Sequence, residues 1–275
     1  VSKVLNDKPG VSSTTRERIK SLVTNVGYHP HHGARTLRGK HRNCIGVTIV
    51  PPLYMVPLSH DFLLWLFAKL TTIFADHGPY LSFDVSSFNK EGNKDYARGV
   101  WQQLYDVCVI VGPIPSDDTE LMRIHQLGMP YLTFGRLASF PECSSATVNL
   151  EQGAYESTRF LTERGHRRIA LLSYFQGYNA GQERYDGYVR ALHEAGLPVD
   201  PALIRSVDPA GSNFSDSVFR LLAEDGVTAL IDSTVMMDGE ALRAGAHTAG
   251  RRFGESVELV CWTYEERIAV VREAS

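Results

Sequence analysis

Four cations and no acid fall within residues 27–47, GYHPHHGARTLRGKHRNCIGV: Arg35, Arg38, Lys40 and Arg42. Such a set neutralises phosphates. Among the cations sits one apolar side chain, Leu37, on a segment, 31–38, that can be helical. A cationic short helix with one projecting leucine suits a DNA minor groove, with the leucine as a wedge between base steps. The same residues also suit an exposed interdomain linker whose leucine packs on a neighbour. A basic cluster by itself does not separate the two. Catalytic signatures are lacking. The chain has no GxGxxG after a strand, no GxxxxGK[ST], no HExxH and no GxSxG. His29, His31 and His32 have no set of further metal ligands beside them. Cys44, Cys108, Cys143 and Cys261 are too scattered for a zinc site or a disulfide framework. No catalytic residue, metal or cofactor is expected.

The surrounding chain must position this segment. Its 275 residues suffice for one large or two medium domains with a small module attached. Hydrophobic content of 43% and charged content of 21% match a soluble globular protein. No apolar run approaches the roughly 20 residues that span a bilayer, and no signal peptide opens the chain, so the expected compartment is the cytoplasm. The net charge of -3 conceals a division. Residues 1–42 hold nine Lys or Arg (positions 3, 8, 16, 18, 20, 35, 38, 40 and 42) against Asp7 and Glu17, so the remainder is acidic. A basic front on an acidic body argues for a polyanion bound at one end only.

Residues 1–6 read as the end of a helix, 7–10 as a turn, and 12–26 as a helix capped by Ser12 or Ser13 and stopped by Gly27. Two short helices cannot bury a core alone. From residue 43 strands and helices alternate. Strands are expected at 45–50, 80–85, 107–111, 131–134, 169–172, 203–207, 229–231 and 259–261. Helices are expected at 62–76, 94–104, 119–127, 153–164, 182–195, 215–224 and 239–249. This rhythm predicts an α/β fold of parallel sheets flanked by helices. The two series imply two similar lobes that meet near 144–149, with a ligand between them at the strand ends.

The segments VSKVLNDKPGVSSTTRERI, GYHPHHGARTLRGK, TERGHRRIALL and RYDGYVRAL stand here in one order and spacing. Together they resemble the lactose-repressor (LacI/GalR) family of bacterial transcription regulators over essentially the whole chain. The resemblance implies a helix-turn-helix headpiece, a hinge helix and a two-lobed sensor like periplasmic sugar-binding proteins. It implies a homodimer on near-palindromic operator DNA, with no membrane partner. The implied domains are a partial headpiece at 1–28, a hinge at 29–42 and an effector-binding domain at 43–275. Within the last, one lobe covers about 43–147 and the other about 148–275. The resemblance also implies truncation at both ends: the first helix and most of the recognition helix would precede Val1, and a return to the first lobe would follow Ser275.

Residue roles follow from the resemblance. Lys3 takes a position that reaches base edges, and Ser2 and Asn6 take positions that contact the DNA backbone. Leu37 matches the intercalating hinge leucine, with Ala34 and Arg35 beside it. Gly33 lowers helix propensity by about 1 kcal/mol relative to Ala, which suits a hinge that orders on DNA. For the effector, Arg184 matches an arginine that grips the ligand, Phe62 an aromatic over it, and Tyr178 lies in the loop before Arg184. Ser233-Thr234 and Thr263 stand where the family usually has Asn-Asp and Asp, and Asn149-Leu150 where it has Asp-Asn. The pocket is therefore expected to be less acidic than usual. A carbohydrate is the first expectation, and the whole reads as a repressor controlled by a small molecule. A solute-binding protein feeding a transporter would share the lobes but has no use for a basic front. An α/β enzyme would need a nucleotide loop or a catalytic cluster.

Overall fold

The computed structural model describes residues 1–5, 8–26, 42–50, 59–75, 78–84, 88, 94–112, 114–115, 117–137, 139–174, 178–208, 212–235 and 238–263. The chain separates into two compact units, Val1–Asn43 and Cys44–Ser275. In the first, α1 (Ser2–Leu5) precedes α2 (Ser13–Asn25). Ser12 caps α2, accepting from the Thr15 N–H at 3.4 Å. Arg16 on α2 reaches back and donates to the Val4 carbonyl at 3.4 Å and the Lys8 carbonyl at 2.9 Å. Val4 is buried, whereas Leu22 on α2 and Val26 just after it are exposed.

The second unit contains two all-parallel sheets. The first comprises β1 (Cys44–Ile49), β2 (Tyr80–Asp84), β3 (Val107–Val111), β4 (Tyr131–Phe134) and β5 (Ser144–Ala146), ordered β2-β1-β3-β4-β5. The second comprises β6 (Ile169–Tyr174), β7 (Ile204–Val207), β8 (Ala229–Asp232) and β9 (Glu258–Cys261), ordered β7-β6-β8-β9. Each order reverses beside its first strand, so both sheets repeat one winding pattern. The helices are α3 (Ser59–Phe74), α4 (Arg98–Trp101), α5 (Thr119–Gln126), α6 (Leu150–Glu163), α7 (Asn179–Glu194), α8 (Phe214–Leu222) and α9 (Gly239–Thr248). None of the described helices is long and apolar enough to cross a membrane.

Strand alternation assigns the cores. On β6, Ile169 and Leu171 pack with Leu161 of α6 and with Tyr188 and Leu192 of α7. Ala170 and Leu172 face the other way, onto Val218 and Leu221 of α8 and Leu242 and Ala246 of α9. In the first sheet Val47 and Ile49 pack on Leu63 and Leu66 of α3. Cys108 and Ile110 pack on Tyr96, Val100, Leu121 and Ile124. Cys108 is thus a buried small hydrophobe, as its strand context predicts, while Cys44 is half-buried.

The helix expected over 94–104 shrinks to α4. Tyr96 turns inward instead and donates its hydroxyl to Asp118 Oδ1 at 2.6 Å. Asp118 also caps α5 through the Glu120 and Leu121 N–H groups and pairs with Lys94 at 3.1 Å. Gln103 follows α4 with φ of 54, a left-handed turn that ends it. β5, at the lobe border, carries only three small residues and no periodic signal.

The segment TERGHRRIALL earns its form from a turn. Gly165 sits at φ of 93 and lets His166 swing under the second sheet. There the His166 ring nitrogens contact Thr228 Oγ1 and Glu258 Oε2, each at 2.8 Å, and Arg164 Nε meets Glu258 Oε1 at 2.7 Å. The hydrogen bond from His166, with help from Arg164, holds the Glu258 carboxyl below its usual range against the opposing effect of burial. A folded value below the unfolded one means that the folded state binds fewer protons. Glu258 therefore contributes stability above about pH 4.3, and that contribution is lost as pH falls through the folded value. The gap in urea midpoint between the wild type and Glu258→Gln should narrow between pH 6 and pH 3. A gap that stays constant across that window would contradict this account.

Candidate functional site

Ligands of doubly wound sheets sit at the carboxyl ends of strands, next to the order reversal. In the second sheet that place lies at the ends of β6 and β8, and α7 delivers Arg184 to it. Arg184 is 5% exposed. Its Nε donates to the Ser233 carbonyl at 3.0 Å and its Nη1 to the Ala180 carbonyl at 2.8 Å. The guanidinium lies 5.4 Å from the Trp262 ring centroid, a cation–π contact. Trp262 is fixed in turn: its indole N–H donates to Ser157 Oγ at 3.0 Å. Its ring covers Gly153 of α6, where an added Cβ would stand 3.1 Å from it.

Ser233, expected to line the site, is fully buried, and its hydroxyl donates to the Leu172 carbonyl at 3.0 Å. Its contribution to Arg184 is the backbone carbonyl, not the hydroxyl. The neighbouring Asp232 is also fully buried. It accepts from the Thr234 N–H at 3.0 Å and the Thr234 hydroxyl at 2.6 Å, with Cys261 Sγ at 3.5 Å. Burial pushes the Asp232 carboxyl up, while these hydrogen bonds and the charge of Arg184 pull it down. The Cys261 thiol is pushed up by burial and by Asp232.

Between the sheets, Tyr178 precedes α7 and pairs with Pro115 in an isolated antiparallel bridge. Asn179 Nδ2 donates to the Arg136 carbonyl at 3.0 Å. A small cavity of about 50 Å³ opens beside these contacts, bordered by Phe134, Arg136, Thr147, Tyr178 and Glu183. Burial raises the Glu183 carboxyl, against the lowering charges of Arg136 and Arg184. Phe62 on α3 stands edge-on to Phe134, with centroids 5.9 Å apart, and stacks on Trp65 at 6.4 Å. It reaches the lobe border through Phe134. Thr263 follows Trp262 and is half-buried.

The structure therefore brings Arg184 and Ser233 into direct contact. It sets Tyr178 at the border cavity and links Phe62 to that cavity through one aromatic ring. Two carboxyls, Asp232 and Glu183, remain close to Arg184, and the substituted positions did not reveal them. Asp232 reads in the sequence as the last residue of a buried strand. Glu183 and Arg136 carry no pattern of their own. Arg184 donates to the Ser233 and Ala180 carbonyls, and Asp186 accepts from Gln182 Nε2 at 2.7 Å. Of the positions proposed for DNA, Ser2 and Lys3 lie on α1, with Lys3 exposed. Asn6, Ala34, Arg35 and Leu37 lie outside the described residues.

Residues 56–252 match the family model for periplasmic binding proteins and the sugar-binding domain of the LacI family. The regulator RafR of Escherichia coli is 27% identical over 266 residues, covering 95% of this chain and 76% of RafR. The regulator CelR of Thermobifida fusca is 29% identical over 267 residues, covering 94% and 76%. Both are described as HTH-type transcriptional regulators. Among solved structures, a CelR–cellobiose complex superposes with a TM-score of 0.64 at 26% identity, covering 94% of this chain and 77% of that one. The lac repressor dimer bound to operator and the anti-inducer ONPF gives 0.75 at 21% identity, covering 97% and 78%, a likeness of fold. With its two parallel sheets, its arginine at the strand ends and a family match over most of its length, this chain belongs to the LacI family, which shares its sugar-binding domain with the periplasmic binding proteins.

Proposed function

We propose that this protein is a sequence-specific DNA-binding repressor whose operator affinity is set by a carbohydrate held at the lobe border. The observation that carries the reading is the extent of the match to RafR. It covers 95% of this chain, too much to leave out the basic front segment. A solute-binding protein for transport would match in the lobes alone. The sugar reading draws on the CelR–cellobiose complex and on the setting of Arg184, whose fork of donors suits hydroxyls or a carboxylate. The relatives are described as transcriptional regulators, which supports reading the protein as a sensor rather than an enzyme.

In this reading residues 1–28 form a partial headpiece, 29–42 a hinge, and 43–275 the sensor. The protein acts as a homodimer. Leu64, Trp65 and Ile73 of α3 and Tyr80 of β2 expose large apolar surfaces that a second copy would cover. The ligand changes operator affinity only through its differential affinity for two arrangements of the lobes. A coupling of roughly 1–3 kcal/mol corresponds to about 5- to 150-fold.

Mobility shift on operator DNA at several salt concentrations, made on the intact protein with a complete headpiece, is the test. Binding should weaken steeply with salt, by about one unit of log K per log salt for each phosphate neutralised. Leu37→Ala should cost on the order of tenfold in operator affinity, a loss of one inserted wedge side chain, while carbohydrate binding is unchanged. Indifference to every duplex would remove the regulator reading, and normal operator binding by Leu37→Ala would remove the wedge.

A further inference from the structure

We propose that the second lobe carries another small-molecule site, on the face of α7 opposite Arg184, that takes a small neutral polyhydroxylated solute. On one side α7 turns Ala180 and Glu183 to the lobe border and Arg184 to Ser233. On its other side Gly181, Gln182 and Tyr185 roof a cavity of about 280 Å³. That is near the lower end of the sizes that hold ligands, and it suits a polyol or a single sugar ring.

The floor is the α7 face of β6 and β7. The ladder sets Leu171 beside Ile204 and Ser173 beside Ser206. Ser173 shares the parity of Ile169 and Leu171, the side chains that pack under α6 and α7. It is 8% exposed, and its Oγ is buried with no hydrogen-bond partner among the described residues. A buried hydroxyl without a partner is costly unless something fills the space beside it. Here the space exists.

The lining selects the ligand class. Ser173, Ser206 and Tyr185 line it with hydroxyl-bearing side chains, Gln182 with an amide whose Nε2 already donates to Asp186, and Leu171 and Ile204 with apolar wall. Arg205 also borders the cavity, but it is level with Leu172 and so belongs by alternation to the opposite face. The face under α7 thus presents no charged side chain from the sheet. The uncharged side chains that β6 and β7 turn toward α7 suit a neutral solute, and a ligand hydroxyl can both accept from and donate to Ser173. The proposal does not depend on what binds at the lobe border.

Ligand-observed saturation-transfer NMR on the full chain, with xylitol, glucose and inorganic phosphate as probes, tests this site. Xylitol or glucose should bind in the millimolar range. Ser173→Val, which replaces the hydroxyl with a larger apolar side chain at the cavity floor, should weaken that binding at least tenfold. Glucose held at the lobe border would survive this substitution, so the loss identifies the cavity. Ser173→Ala should leave the thermal midpoint without solute unchanged or higher, because it deletes an unpartnered group. The proposal fails if neither neutral probe binds, if Ser173→Val binds them normally, or if phosphate binds in their place. It also fails if Ser173→Ala melts lower, since the hydroxyl would then have a structural partner.

Discussion

Arg184→Met should lower the stability of the protein by about 3–4 kcal/mol and abolish the response to the effector. The Ser233 and Ala180 carbonyls each lose a charged donor, an interaction of about 1.5–3 kcal/mol. The cation–π contact with Trp262 adds about 1 kcal/mol or more. Methionine returns part of this, since a buried guanidinium carries its own desolvation cost. The substitution also strips the nearby positive charge from buried Asp232, whose carboxyl is already pushed up by burial. The sign of the pH dependence follows. A carboxyl whose folded value is raised above the unfolded one favours the folded state at low pH and penalises it as pH rises through the folded value. Without Arg184 the rise is larger. The loss of stability should therefore be smaller at pH 5 than at pH 8, in urea titrations at both. A variant as stable as the wild type, or equally destabilised at both pH values, would contradict this coupling. Arg184→Lys should recover part of the stability, because a lysine supplies donors without the planar fork.

The second large effect is expected at Gly187. An added Cβ would run into the Glu151 carbonyl oxygen and stand 2.9 Å from the Tyr155 nitrogen. Both obstacles are backbone of α6, so no rotamer relieves them. Gly187→Ala must push α6 and α7 apart along a contact where Leu161, Tyr188 and Leu192 are fully packed. Overpacking of this kind costs about 3 kcal/mol. For a chain of this size that lowers the melting temperature by roughly 6–12 °C. Calorimetry of the variant decides the matter, and an unchanged melting temperature would mean that the helices do not approach so closely in solution. Because α7 also carries Arg184, the same variant should bind carbohydrate more weakly.

These two sites differ in how much of them the chain announces. Gly187 lies in RYDGYVRAL, one of the segments that carry the family resemblance, yet nothing local says why glycine stands there. The reason is the backbone of a helix some 35 residues earlier in the chain. Arg184 is recognisable by position, but its partners are not. Ser233 was expected to offer a side chain and offers a carbonyl, because its hydroxyl is taken by Leu172 across the ladder. Asp232 and Glu183 draw their electrostatic character from burial, which no spacing of residues encodes.

The elements themselves were largely legible. Apolar runs such as 169–172 and 229–231 must be strands buried on both faces, and helical periodicity at 119–127 and 239–249 must bury one side. These signals arise from neighbours within one turn or one pleat, so residue order is enough to set them. The alternation of strand and helix likewise forces parallel pairing, since each strand returns through a helix. Order alone misjudged 94–104, where Tyr96 is held by Asp118 and helix formation loses to that buried contact.

Sequence by itself thus determined the family, the two-lobed parallel architecture, and the division between a cationic front and an acidic sensor. Tertiary structure alone decided what Arg184 holds, which carboxyls stand near it, and where Ser173 is left without a partner. The physical reason is range. Periodicity and composition report on a side chain's immediate neighbours, whereas hydrogen-bond partners, desolvation and empty volume depend on segments far apart in the chain that meet only after folding.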